Sequence, residues 1–148
     1  MKIQHILLTT DLSEEALRAF QPVQELAKLH GARITVFHMV PELRAVPHGA
    51  PLAPPIDPPD LSSVVEEARN RLDDQLSHLD SDVEVKGVVV VGESVWKEVA
   101  KFVEENGVDL IALSSHGRSG FRRLVLGSVA ETILRHSHVP VLVFPRQD

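Results

Sequence analysis

Ile3-Gln4-His5-Ile6-Leu7-Leu8-Thr9-Thr10-Asp11-Leu12-Ser13 is the stretch on which the fold turns. Ile3, Ile6, Leu7 and Leu8 form an aliphatic run without strict alternation, the pattern of a strand buried on both faces of a parallel sheet. Residues 9–13 then make a polar turn. Ser13 is a helix-capping residue, and Glu14 and Glu15 are first-turn acids that complement a helix dipole. Ala16, Phe20, Val23 and Ala27 recur at helical spacing, and Gly31 stands where a helix closes. Pro22 falls inside this run. An interior proline removes a backbone hydrogen bond, so the spacing predicts a helix bent at that point.

The same alternation continues outward. Residues 33–40 predict a second strand, 83–91 a third ended by Gly92, 110–113 a fourth and 139–144 a fifth. Asp60 opens a helix with Leu61, Val64, Val65, Ala68, Leu72, Leu76 and Leu79 on one face and Glu, Arg, Asp and Gln on the other. Ser94 opens another, with Val95, Val99, Phe102 and Val103 inward and Asn106-Gly107 at its end. A last helix covers 129–134. Strands alternating with helices imply right-handed parallel crossovers. The expected class is α/β: an open five-stranded parallel sheet, Rossmann-like, with helices on both faces. Seven of the ten prolines fall within 41–59, which predicts an irregular loop there. Loops this long inside a compact domain are usually lids or mobile segments.

At 148 residues the expectation is one domain, 1–148, that removes about two-thirds of its unfolded surface from water. With no cysteine, disulfide frameworks and thiolate metal sites are excluded. No run approaches the ~18 apolar residues of a membrane span, and no signal-peptide pattern opens the chain. The expected location is the cytoplasm. Fifteen Lys and Arg against 21 Asp and Glu leave a net charge of −6, which would repel nucleic acid unless one face were strongly basic. Only His116, Arg118, Arg122 and Arg123 cluster, enough for one small anion and too few for a duplex. Aromatic residues make up 4%, so no stacking platform for single strands exists. No nucleic-acid or membrane partner is expected.

Ligands of open parallel sheets sit beyond the carboxyl ends of the strands, where strand order reverses. The richest such segment is Ser114-Ser115-His116-Gly117-Arg118-Ser119-Gly120, followed by Gly127-Ser128 at the start of the last helix. Glycine N–H groups and a helix N-terminus suit an anion. On spacing alone, these glycines serve equally well as turn-formers. The segment is not a Walker A loop, a dinucleotide fingerprint or a nucleophile elbow. His136 and His138 lack a third ligand nearby, His38 reads as a core or edge histidine, and Trp96 reads as packing. Asp73-Asp74 and Glu104-Glu105 read as solvated helix faces. An aspartyl receiver domain shares the element order but needs an aspartate ending the third strand, where Val90-Val91-Gly92 stands.

Ser-Ser-His-Gly-Arg-Ser-Gly-Phe-Arg-Arg-Leu-Val-Leu-Gly-Ser-Val-Ala, residues 114–130, resembles the nucleotide-binding segment of universal stress proteins. Ile6-Leu7-Leu8-Thr9-Thr10-Asp11-Leu12-Ser13 is similar to that family's opening strand and turn, and Val139-Pro140-Val141-Leu142-Val143 to its closing strand. ATP-binding members carry glycine, two residues, glycine, nine residues, then glycine with serine or threonine. Here Gly117 and Gly127-Ser128 match, while Ser114 replaces the first glycine and Thr9 replaces a proline. A β-carbon at Ser114 narrows the space beside a ribose or phosphate.

The resemblance implies an adenine nucleotide alpha-hydrolase-like fold that binds ATP, with Mg2+ or Mn2+ as counter-ion. It implies that Asp11 sits beside the adenosine, with Thr9 and Thr10 shaping that wall. Met39 would meet adenine through its backbone, Ser114 and Gly117 would line the ribose and α-phosphate, and Gly127 and Ser128 would hold the outer phosphates. Val129 belongs to the same binding set. Arg118, which the resemblance does not assign, points to the phosphates or to solvent. Read without the resemblance, Asp11 is a helix-entry residue. The resemblance further implies a homodimer in which strand 139–144 pairs across a two-fold axis. Three functions remain open: a nucleotide-binding stress-response protein acting through conformation or partners, a scaffold dimer without nucleotide, and a slow ATPase. No residue is placed as a catalytic base for in-line attack.

Overall fold

The computed structural model describes residues 2–42, 60–115 and 127–145. Its elements are β1 (His5–Thr9), a 3-10 helix (Glu15–Ala19), α1 (Phe20–His30), β2 (Arg33–Pro41), α2 (Leu61–Leu76), β3 (Val85–Gly92), α3 (Val95–Asn106), β4 (Leu110–Ser114), α4 (Ser128–His136) and β5 (Val141–Phe144). The five strands form one sheet in the order β3-β2-β1-β4-β5, and every pairing is parallel. Ile6 lies opposite both Ile34 of β2 and Leu110 of β4, so β1 is central and buried on both faces, as its aliphatic run requires.

The pleat sorts the strand residues into two cores. Ile6, Leu8, Ile34, Val36, Leu110 and Ala112 face Val23 and Ala27 of α1 and Ala68 and Leu72 of α2. Leu7, Phe37, Met39, Ile111 and Leu113 face Val99 of α3 and Ala130 and Ile133 of α4. A doubly wound sheet with helices on both faces is the result. It also places β5 at one edge of the sheet and β3 at the other.

Pro22 does not bend a continuous helix. The chain turns first through the 3-10 helix, and the α-helix proper begins at Phe20. Pro22 therefore stands in the first turn of α1, where a backbone N–H has no intrahelical acceptor to lose. Asp60 caps α2 by accepting from Ser62 N. Ser94 occupies the cap position of α3, but its side chain makes no capping hydrogen bond. Gly107 closes α3 at φ 62°, a left-handed conformation that glycine adopts without a β-carbon clash.

Strand ends shift by a residue or two from the sequence expectation. Pro140 has no N–H to donate, and although its carbonyl accepts from Ile111 N, β5 begins one residue later. Pro41 ends β2, and Glu42 N donates to Gly92 O. The rest of the proline-rich loop lies outside the described residues.

Candidate functional site

The carboxyl ends of β1, β2 and β4 meet the first residues of α3 and α4 around a cavity of about 110 Å3. A cavity of ~150 Å3 admits a benzene ring, so this one encloses less than one such ring, and a larger ligand would extend out through its open side. Thr9, Thr10 and Asp11 come from β1 and its turn, Phe37, His38 and Met39 from β2, and Leu113 and Ser114 from β4. Val95, Val129 and Ala130 close it from the helix starts. This is where the strand order reverses, because β1 connects outward to one side of the sheet while β4 opens the other. Helices on opposite faces part at such a point and leave a crevice.

The turn after β1 is bound from inside and outside. Thr10 N continues the sheet ladder to Phe37 O at 2.9 Å. Within the turn, Leu12 N donates to Thr10 Oγ1 and Ser13 N to Asp11 Oδ1, each at 3.0 Å; the second is an Asx turn. Leu12 lies at φ 64°, a left-handed conformation costing a branched side chain roughly 1–3 kcal/mol. The turn's carbonyls are held by distant side chains. His38 Nδ1 donates to Thr10 O at 2.9 Å, Arg71 to Leu12 O at 3.0 Å and Gln75 Nε2 to Ser13 O at 3.0 Å. The Thr10 hydroxyl in turn donates to Gln75 Oε1 at 2.7 Å.

His38 is half-buried. Burial pushes its imidazole below the ordinary value of 6.5, outweighing the opposing pull of the Thr10 carbonyl and of Asp11. A carbonyl only accepts, so the proton sits on Nδ1 and Nε2 carries the lone pair. Near pH 7 the cavity thus has a neutral histidine, the Asp11 carboxylate and the Ser114 and threonine hydroxyls set among apolar walls. This combination can grip a ring on aliphatic surface and orient it with a few polar groups.

Thr9, Thr10, Asp11, Met39, Ser114 and Val129, all singled out in the sequence, line this single cavity. Gly127 and Ser128 are the cap and first residue of α4, adjacent to that wall but outside it. Gly117 and Arg118 lie outside the described residues. Phe37, His38, Val95, Leu113 and Ala130 complete the lining, and none of the five belongs to the binding set that the resemblance implies. Period-two alternation from Met39 reaches Phe37, and Leu113 is the last aliphatic residue of β4, so both were readable. Gln75 corrects the sequence assignment of glutamine to the solvated face of α2. It is buried, seven residues after Ala68 and so on the same helical stripe.

The Universal stress protein family model matches residues 2–145. Universal stress protein MJ0577 of Methanocaldococcus jannaschii is 30% identical over 97% of this chain and 95% of its own length. Its solved structure shares the fold at a TM-score of 0.77, with 28% identity, over 100% of this chain and 99% of that one. A universal stress protein from Archaeoglobus fulgidus solved in complex with dAMP is 20% identical, with a TM-score of 0.68 over 97% of this chain and 98% of that one. One solved in complex with cAMP is 21% identical, with a TM-score of 0.62 over 99% of this chain and 100% of that one. The last two likenesses are likenesses of fold. An unbroken family match, a full-length relative and the shared doubly wound sheet lead to one conclusion: the chain belongs to the universal stress protein family.

Proposed function

We propose that this chain binds an adenine nucleotide, ATP with Mg2+ or Mn2+, in the cavity at the strand reversal. In this reading it acts in the cytoplasm as a stress-response regulator through conformation, dimerisation or partners. The observation that carries the reading is the convergence of Thr9, Thr10, Asp11, Met39, Ser114 and Val129 on one cavity. The dAMP and cAMP complexes of proteins with this fold support it. Phe37, Met39, Leu113 and Val95 suit a base, and the N-terminus of α4 at Gly127 and Ser128 suits the phosphates. Gly117 is assigned to the ribose and α-phosphate on the sequence resemblance alone, and Arg118, which the resemblance does not assign, points to the phosphates or to solvent. The bound metal would offset phosphate charge. No residue lining the cavity is assigned as a base for in-line attack, so any hydrolysis is slow. Light scattering should give twice 16.3 kDa for a dimer formed through the edge strand β5. A monomer at micromolar concentration rejects that part of the reading.

Equilibrium titration with ATP and magnesium is the test. Saturable binding at millimolar levels or below is expected, and none at millimolar ATP overturns the reading. One observation favours a second reading, a scaffold dimer without nucleotide: Ser114 lines the cavity at the position where, by the sequence resemblance, ATP-binding members carry glycine. Binding that appears only in Ser114→Gly would establish that alternative.

A further inference from the structure

We propose that Gln75 and Arg71, on α2, are positioning residues for the nucleotide site. They hold the turn after β1 in its strained conformation, so that Asp11 is presented to the cavity. This inference rests on the nucleotide reading above and adds to it a specific role for α2.

Gln75 lies in the apolar stripe of α2 between Leu72 and Leu76 and is 7% exposed. A buried amide is costly unless both of its ends find partners. Here both ends bond the same turn. Thr10 Oγ1 accepts from Leu12 N, so its own proton goes to Gln75 Oε1; Ser13 O can only accept, so it must face Nε2. The amide orientation is therefore dictated by the turn. Arg71, one helical turn earlier, donates to Leu12 O.

The two side chains thus grip the consecutive carbonyls of Leu12 and Ser13, and Leu12 is the one non-glycine residue with positive φ among the described residues. Without that grip, Leu12 relaxes toward negative φ. A peptide rotation beside Asp11 re-aims its carboxylate. Neither Gln75 nor Arg71 lines the cavity; Gln75 reaches it through the turn, and Arg71 through the turn and through its charge near His38.

The test is a double-mutant cycle on the full chain, with ATP and magnesium titrated at a temperature where every variant is folded. Gln75→Leu is expected to weaken ATP binding about tenfold, as loss of a buried polar network at a site does. In an Asp11→Ala background the same change should alter Kd by less than about twofold. A purely structural role would lower the melting temperature while leaving the Kd of folded protein unchanged, or would give effects that multiply; either result overturns the proposal. If Gln75→Leu does not fold, Arg71→Met, at an exposed position, carries the same cycle with the same criteria. Wild-type protein that binds no ATP overturns the nucleotide reading and this inference together. Wild-type binding with unaltered variants overturns the positioning role alone.

Discussion

The two ends of the sheet carry the same three kinds of side chain and use them differently. At the amino end, Arg33 reaches His5 and Asp109 accepts the His5 N–H; at the carboxyl end, His38 feels the charges of Arg71 and Asp11. The amino end is sealed. His5 is 3% exposed, its Nε2 bonds Thr35 Oγ1 at 2.8 Å and its Nδ1 donates to Asn106 O at 3.2 Å. Asp109 Oδ2 accepts the N–H groups of Gln4 and His5 at 2.8 and 3.0 Å. These contacts start β1 beside β4 and complete a packed edge, and Phe102 lies edge-on to the His5 ring. At the carboxyl end the same residue types surround a strained turn, and a cavity remains. A histidine, an arginine and an aspartate therefore say nothing about function by themselves. What matters is whether the helices around them close or part, and the strand order parts them only at the carboxyl end.

The largest test of this contrast is His5→Ala. It removes a buried ring and the hydrogen-bond partner of the Thr35 hydroxyl, while the Asn106 carbonyl keeps the Arg33 guanidinium, so unfolding should become easier by about 2–4 kcal/mol. ATP affinity of the folded protein should stay within twofold. A large loss of affinity would mean that the two ends are coupled and the contrast is false.

Ser114→Val should do the reverse. Extra branching in the cavity wall is expected to weaken ATP binding tenfold or more, about 1.4 kcal/mol, while chemical denaturation shifts less than for His5→Ala. Equal binding with and without the extra methyl groups would move the ligand away from β4.

The smallest expected effect is pH dependence, which both ends share. Burial depresses the imidazoles of His5 and His38 below 6.5, so the unfolded chain binds their protons more readily. Their contribution to stability is present above pH 6.5 and is lost as pH falls toward the folded-state values. Melting temperature should therefore drop on acidification from pH 7, with His5→Gln flattening part of the fall. A flat wild-type profile through that range would show that neither ring is held neutral by burial.

Much of this molecule was legible in its sequence. The aliphatic run ending in Thr9-Thr10-Asp11 predicts a strand buried on both faces that ends in a polar turn, and both are present. The caps at Asp60, Gly31 and Gly107 act locally and were readable for that reason. The bend expected at Pro22 is absent because a proline's effect depends on where the helix begins, and the 3-10 turn before Phe20 is favoured by packing of Ala16 and Ala19 in the core. The burial of Gln75 is not legible in the sequence because glutamine is ordinarily solvated. Its burial becomes favourable only when a turn more than sixty residues away supplies both hydrogen bonds.

The sequence by itself determined the element order, the two-faced burial of β1 and the family, since periodicity, capping and motif spacing are local properties of the chain. The tertiary structure alone decided that His38 joins Thr10 and Ser114 around one cavity and that Gln75 braces the turn beside it. These residues are distant along the chain and come together only because parallel crossovers bring strand ends to one edge of the sheet. There, the geometry of helix packing leaves a cavity at one end and a filled contact at the other.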